Sequence, residues 1–211
     1  MRDLIGLVTA GGRAAPADTR EPVAVPEASV PLTQAYLFHL LAQELPADAQ
    51  LFEELPIARA DFHEQIPLGP DNGYFATASG ALGFPFAGAV GYALARPDRR
   101  VVAVMGEGSA QYTLHALWTA AQHNLPITFV IPNNSGYLSL KYYLGEPSQQ
   151  AWQVGWDLSG VDMAALAQGF GCPAERIESP ERLRSALEGA LSADGPMLLD
   201  VVVADPGLFR L

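Results

Sequence analysis

Glu107 and Asn134 are the residues of this sequence best suited to chemistry, and they lie 27 positions apart. A carboxylate and an amide carbonyl offer hard oxygens that suit Mg²⁺ or Ca²⁺. Glu107 stands within the run Gly106-Glu107-Gly108-Ser109. Glycines let the backbone come close to a phosphate, and the free N–H groups that open a following helix favour an anion. A cation held by Glu107 and Asn134 would bridge protein and phosphate. Taken alone, a Gly-x-Gly turn fits an ordinary strand-to-helix connection equally well.

The flanking pattern places these groups. Val101–Met105 is an apolar, β-branched run, as a buried parallel strand requires. Downstream, Leu114, Leu117, Trp118 and Ala121 fall on one face of a helix. Ile127–Ile131 reads as a second strand that runs into Pro132-Asn133-Asn134. Strand, glycine turn, helix and strand make a βαβ unit. Glu107 and the asparagine pair then sit at the carboxyl ends of neighbouring strands, the edge at which open α/β sheets bind ligands.

The rest of the chain alternates in the same way. Thr33 is placed to cap a helix with Leu37, Leu40, Leu41 and Leu45 on one face, stopped by Pro46. Ala49–Glu53 reads as a short strand, followed by Glu54-Leu55-Pro56-Ile57 at the ligand edge. Glu53 and Glu54 fit either solvated surface charge or a structural or site role. Asp61–Asn72 reads as irregular, with His63 at the surface. Tyr74–Phe84 leads into a helix of small residues, Pro85–Ala95. Pro147–Gly160 reads as a loop and Asp162–Gly169 as a short helix. Ser179-Pro180 reads as the cap and first position of a helix striped by Leu183, Ala186, Leu187, Ala190 and Leu191. Gly195-Pro196 ends it, and Met197–Val203 is a last buried strand. This alternation predicts an α/β fold, a doubly wound parallel sheet with helices on both faces.

The stretch GSAQYTLHALWTAAQHNLPITFVIPNN, with the upstream Ser79-Gly80-Ala81-Leu82-Gly83-Phe84, resembles a known family. It is similar to the C-terminal, diphosphate-binding domain of the thiamine-diphosphate-dependent decarboxylases, nearest their benzoylformate-decarboxylase branch. The family motif opens with Gly-Asp-Gly and closes with Asn-Asn at an interval that fits, and the likeness runs from about Leu32 to Val203. The resemblance implies the thiamine-diphosphate-binding fold, with thiamine diphosphate and Mg²⁺ (or Ca²⁺) as cofactors. It implies metal contacts from Glu107, Asn134 and the backbone carbonyl of Gly136. It implies cofactor contacts from Gly80, Ala81, Leu82, Gly106, Gly108, Ser109, Asn134, Gly136 and Tyr137. Gly80 would meet the aminopyrimidine through its backbone, and Leu82 would lie under the bent cofactor; read alone, Leu82 fits a core leucine. Ser139, Leu140 and Tyr143 match positions of the substrate pocket, where an apolar, aromatic wall suits an aryl 2-oxo acid. The same stripe also fits an exposed or interface helix face.

Two positions depart from the family. Glu107 stands where the family has Asp, which carries the carboxylate about 1.5 Å further out, roughly one C–C bond. Leu55-Pro56-Ile57 stands where the family places Ser or Thr to hydrogen-bond the diphosphate. In the family the glutamate that activates the pyrimidine belongs to the N-terminal domain, so no catalytic residue is assigned in this chain. His39, His63, His115 and His123 read as packing or surface residues.

With 211 residues of which 49% are hydrophobic, the chain can bury a full core as one domain. A net charge of −11 argues against nucleic acid or an anionic membrane as partner. It also leaves a diphosphate to be held by a cation and local N–H groups. Cys172 is the only cysteine, which speaks for a reducing compartment, and the cytoplasm is the expectation. Residues 1–31 read as a linker or leader, 32–205 as the diphosphate domain and 206–211 as a tail. The expected function is the diphosphate-binding half of a 2-oxo-acid decarboxylase or carboligase, a carboxy-lyase that needs an N-terminal pyrimidine-binding domain from another chain or another part of the gene. The chain is also expected to form a homo-oligomer. Two alternatives stand beside it: a degenerate thiamine-fold interaction protein without cofactor, and an acetolactate-synthase-like carboligase.

Overall fold

The computed structural model describes residues 23–68, 72–140 and 155–205. Among the described residues, six strands form one sheet: β1 (Gln50–Glu54), β2 (Gly73–Ala76), β3 (Val101–Met105), β4 (Ile127–Asn133), β5 (Ala174–Ile177) and β6 (Met197–Val202). Their order is β2-β1-β3-β4-β6-β5, and every pairing is parallel. Among the described residues, the helices with both ends described are α1 (Gln34–Glu44), α2 (Arg59–Gln65), α3 (Phe84–Ala95), α4 (Glu107–Ala110), α5 (Ala116–Gln122), α6 (Met163–Gly169) and α7 (Pro180–Ser192).

Successive strand residues serve opposite faces. Val102 and Val104 pack with Leu37 and Leu41 of α1, Phe62 of α2 and Leu187 of α7. Val101, Ala103 and Met105 pack with Phe86 of α3, Leu117 of α5 and Met163 of α6. A central strand buried on both sides has to read as a continuous apolar run, and Val101–Met105 does. The result is the expected doubly wound sheet with a helix layer on each face. β1 connects through α2 to β2 at one edge, whereas β3 connects through α4 and α5 to β4 on the other side. The connections part between β1 and β3, which opens a crevice at their carboxyl ends.

Local signals set several boundaries. Thr33 Oγ1 accepts from the Tyr36 N–H at 3.1 Å, and Asp162 Oδ1 accepts from the Ala165 N–H at 2.8 Å. Ser179 precedes α7 without a side-chain cap bond, so Pro180 at the first turn is what starts that helix.

Other expectations are corrected. Arg59–Gln65 is a helix where Asp61–Asn72 reads as irregular. Its N-cap, Ala58, offers no side-chain cap, so the sequence carries no start signal there. Tertiary packing holds it: Phe62 is fully buried, with its ring edge-on to Phe38 at 5.3 Å. Gly73–Ala76 is an edge strand, secured by Phe75 stacked on Phe52 at 4.6 Å, and Ala174–Ile177 is a second short edge strand. The helix after the glycine turn is broken in two. Between α4 and α5 the chain runs through i to i+3 bonds, from Tyr112 N to Ser109 O through Trp118 N to His115 O. That tighter pitch turns each residue by about 120° and rotates the later positions off the α-helical face. Trp118 therefore lies 55% exposed, and Ala116, Leu117 and Ala120 form the buried stripe instead. Glu53 and Glu54 are both buried. Glu53 takes the Arg59 Nε–H at 3.1 Å, the Tyr74 hydroxyl at 2.5 Å and the Leu55 N–H at 2.5 Å.

Residues 1–22 of the expected leader, residues 206–211 of the expected tail, residues 147–154 of the expected loop, and Tyr143 lie outside the described residues. Among the described residues, no helix is long and apolar enough to cross a membrane.

Phe62→Ala tests whether α2 is held by its core contact. The expected loss in urea unfolding is about 3–5 kcal/mol, the range for emptying a buried aromatic site. A loss below about 1 kcal/mol would mean that the segment contributes no packed core.

Candidate cofactor and metal site

At the carboxyl ends of β1, β3 and β4 lies a cavity of about 480 Å³. The tip of β1 contributes Leu55, Pro56 and Ile57. The tip of β3 contributes Gly106, Glu107, Gly108 and Ser109. The loop after β4 contributes Asn134, Gly136, Tyr137, Ser139 and Leu140, and Leu82 closes one side. Most of the residues singled out in the sequence thus share one wall-to-wall space. Gly80 and Ala81 are exposed and do not line it. Leu82 is 40% exposed at the rim, which rules out the core-leucine reading.

Glu107 opens α4, a helix of 4 residues, and is 2% exposed. So short a helix carries little macrodipole, and an anion here would meet individual N–H groups instead. The Gly136 N–H donates to Glu107 Oε1 at 2.8 Å. The extra methylene of Glu over Asp carries the carboxylate to the β4 loop and ties the two tips together. Burial pushes the Glu107 carboxyl up to about 7, against backbone N–H groups of Gly136, Glu107 itself and Asn134, which pull it down. Asp200 adds a smaller upward push. A cation beside this group would favour its charged form.

The glycines differ in purpose. A Cβ on Gly106 would meet nothing within 4 Å, so its open face leaves room for a ligand against the backbone. A Cβ on Gly108 would stand 2.6 Å from Tyr137 Cε1, so there the missing side chain makes room for a protein ring. Glu107, Asn134 and Gly136 line the same cavity, and a carboxylate, an amide carbonyl and a backbone carbonyl are the oxygen donor types that would suit Mg²⁺ if phosphate oxygens completed the shell. The Gly136 carbonyl also accepts the Leu138 N–H at 2.9 Å. Among the described residues, no group of three or more His, Cys, Asp or Glu could hold a metal without such help.

The asparagine pair divides its work, which the sequence did not reveal. Asn133 is 2% exposed and faces away from the cavity lining. Its Nδ2 donates to Asp200 Oδ1 at 2.8 Å, and its Oδ1 accepts the Ser135 N–H at 2.9 Å. Arg176 Nη1 donates to Asp200 Oδ2 at 2.9 Å. Burial still holds the Asp200 carboxyl above its ordinary range. Ser135 takes φ +60°, a left-handed turn that swings Gly136 back toward Glu107. A lone acid inside the apolar run Met197–Val203 was the available signal for this anchor.

Glu54 supplies a second clamp. It is 3% exposed, and its two carboxylate oxygens each accept the Gly83 N–H at 3.0 Å. Oε2 also accepts the Phe84 N–H at 3.3 Å. The Thr113 hydroxyl donates to the Gly83 carbonyl at 2.8 Å. Gly83 sits at φ +93° with Thr113 within 2.7 Å of where a Cβ would be, so both conformation and space require glycine. Leu82, its neighbour, is thereby held at the cavity rim.

Residues 60–201 match the model of the family "Thiamine pyrophosphate enzyme, C-terminal TPP binding domain". The chain belongs to this family of C-terminal TPP binding domains. Benzoylformate decarboxylase of Pseudomonas aeruginosa is 34% identical over 94% of this chain and 37% of its own length. Acetolactate synthase of Bacillus subtilis is 30% identical over 58% of this chain and 21% of its own length. Among solved structures, the thiamine diphosphate-dependent 4-hydroxybenzoylformate decarboxylase of Rhodococcus jostii superposes with TM-score 0.80 at 33% identity, covering 96% of this chain and 38% of that one. Benzoylformate decarboxylase from Polynucleobacter necessarius gives TM-score 0.81 at 28% identity, covering 88% and 36%. The chain therefore spans less than two fifths of the length of these relatives.

Two substitutions test the scaffold. Glu54→Gln should cost about 1.5–3 kcal/mol of stability, the value of hydrogen bonds to a charged group, with faster hydrogen exchange at the Gly83 and Phe84 amides. Unchanged exchange there would disprove the clamp. Asn133→Ala should cost about 1–3 kcal/mol by leaving Asp200 and the Ser135 N–H short of a partner, as read by thermal or urea unfolding.

Proposed function

We propose that residues 32–205 are the diphosphate-binding half of a thiamine-diphosphate-dependent 2-oxo-acid decarboxylase or carboligase. The observation that carries this is the meeting of Glu107, Asn134 and Gly136 with the open face of Gly106 in one cavity. In this reading Glu107, the Asn134 amide and the Gly136 carbonyl hold Mg²⁺. Backbone N–H groups from Gly106 to Ser109 hold the diphosphate, Tyr137 borders it from the cavity wall with its own N–H given to the Trp156 carbonyl at 2.9 Å, Leu82 supports the rest of the cofactor, and Gly80 and Ala81 lie beyond it toward the pyrimidine. Thiamine diphosphate, when bound, supplies a carbon nucleophile and an electron sink for loss of CO2.

This chain's contribution is to anchor, neutralise and orient. Ser139 and Leu140 stand on the cavity wall beside Leu138 and Trp156, an apolar surface suited to an aryl 2-oxo acid. The names of the benzoylformate decarboxylases quoted above agree with that substrate class. The rim carries Leu82, Tyr112 and Leu140, all more than one third exposed. Such a rim suits cover by a pyrimidine-binding domain, from another chain or another part of the same protein, in a homo-oligomer. A single cysteine in the sequence is what supports a reducing, cytoplasmic setting in this reading.

A second reading is favoured by the β1 tip, where no side chain can donate, and by Glu107, whose carboxylate is engaged by Gly136. It is a thiamine-fold interaction protein that has lost its cofactor.

Isothermal titration of thiamine diphosphate with Mg²⁺, alone and with a candidate pyrimidine-domain chain, separates the two. The proposal expects Mg²⁺-dependent heat that Glu107→Ala abolishes, and CO2 release from an aryl 2-oxo acid once the partner is present. Neither heat nor turnover in any combination, with Glu107→Asp failing to restore either, would establish the second reading.

A further inference from the structure

We propose that the side-chain amide of Gln34 is a hydrogen-bond donor to the phosphate end of the ligand in this cavity. It would take the place of the hydroxyls absent from the β1 tip. The inference rests on reading the cavity as a diphosphate site.

Gln34 is the first residue of α1, is 7% exposed and lies on the cavity wall. Its carboxamide makes no hydrogen bond to protein, yet neither of its polar atoms is sealed from solvent, so the amide keeps its hydrogen-bonding capacity open toward the cavity that the residue lines. The other buried polar side chains, Ser109 apart, are accounted for. Gln50 bonds Asp48 and Tyr92, Thr128 bonds Ala190, and Asn133 bonds Asp200. Glu53, Glu54 and Glu107 each accept main-chain N–H groups. Among the described residues, Gln34 and Ser109 alone in that buried set make no side-chain hydrogen bond, and both line this cavity. Ser109 belongs to the glycine turn; Gln34 comes from a different element and from outside the family motif.

The fold fixes where Gln34 stands. Leu32 bridges to Val203, the Ala204 N–H donates to the Leu32 carbonyl at 2.7 Å, and the Val203 N–H donates to the Asn133 carbonyl at 2.8 Å. These bonds pin the start of α1 to the ends of β4 and β6, beside Asn134. Thr33 spends its hydroxyl on the Tyr36 N–H, which leaves Gln34 as the unspent polar group of that turn. Leu55, Pro56 and Ile57, which line the same cavity, carry no side-chain donor. A phosphate oxygen accepts and does not donate, so of the two ends of a carboxamide it selects the NH₂. Three bonds separate the glutamine Cα from its carboxamide carbon, which gives it a longer reach than serine or threonine.

Affinity of the full chain for inorganic pyrophosphate and for thiamine diphosphate, each with Mg²⁺, tests this by titration calorimetry, with thermal melts as the check on folding. Wild type should bind both. Gln34→Ala should weaken both by a similar factor, roughly tenfold to a hundredfold, as for loss of a hydrogen bond to a charged group. Gln34→Glu keeps the shape, places a carboxylate against the phosphates and should weaken both at least as much. Wild-type affinity in Gln34→Ala, or a loss for thiamine diphosphate without one for pyrophosphate, overturns the assignment. If Gln34→Ala does not fold, wild-type pyrophosphate affinity in Gln34→Glu overturns it instead. A wild-type chain that binds neither compound overturns the diphosphate reading itself, and the Gln34 assignment with it.

Discussion

A carboxylate taken out of water has to be met by donors, and the architecture of this chain follows from how it meets that demand at the edge of its sheet. Glu54 ends β1, Glu107 follows β3, and Asp200 lies within β6, and all three are buried. Each is answered from a different segment: Glu54 by the Gly83 and Phe84 N–H groups, Glu107 by the Gly136 N–H, and Asp200 by Asn133 and Arg176. Loops are usually the least constrained parts of an α/β domain. Here acid-to-amide bonds join the loops into a connected series, so the walls of the cavity are set by the scaffold before any ligand arrives. Donors already aimed and already desolvated need little reorganisation on binding.

The parts of this arrangement that were legible in the sequence are those encoded by local pattern. Val101–Met105 and Ile127–Ile131 read as buried strands, and the order of runs implied a parallel sheet whose ligand edge carries Glu107 and Asn134. What was hidden depends on partners distant in sequence. Glu54 and Gly83 are 29 positions apart, and nothing near Glu54 says that it caps another element's helix. Asn133 and Asp200 are 67 positions apart, and within the Asn-Asn pair no local feature marks which amide faces the cavity. Trp118 fails for a different reason. Its spacing suits a continuous α-helix, but the i to i+3 stretch before it resets the helical phase. Helix α2 lacks a cap and takes its stability from Phe62, a contribution that periodicity over seven residues does not reveal.

Electrostatics makes a consistent account of the same edge. A chain of net charge −11 cannot draw in a diphosphate by its overall field. Attraction has to be local, from oriented N–H groups and from a cation that the protein itself recruits. The Glu107 carboxyl, pushed up to about 7 by burial, shows that the site penalises a bare negative charge. A divalent ion reverses that penalty, because it favours the ionised carboxylate and the phosphate together. Under the proposed function, metal and diphosphate therefore bind as a unit, and neither is expected to be held well without the other.

The two departures from the family pattern are coherent within this frame. Glutamate at 107 is longer than the family's aspartate, and its carboxylate takes up the Gly136 N–H, so the change in length is absorbed by the β4 loop. At the β1 tip the polar work is structural: Glu53 holds the Leu55 N–H and Glu54 holds the Leu82 side of the cavity through Gly83. With both acids committed, Leu55, Pro56 and Ile57 form an apolar wall that orders no competing water through its side chains. A neutral amide reaching in from α1 suits that wall better than a further charge would. It can donate to a phosphate without carrying a desolvation penalty of the size that burying an ion brings. The anchoring chemistry can thus leave one strand tip and reappear on a neighbouring helix, because the sheet holds both elements against the same space.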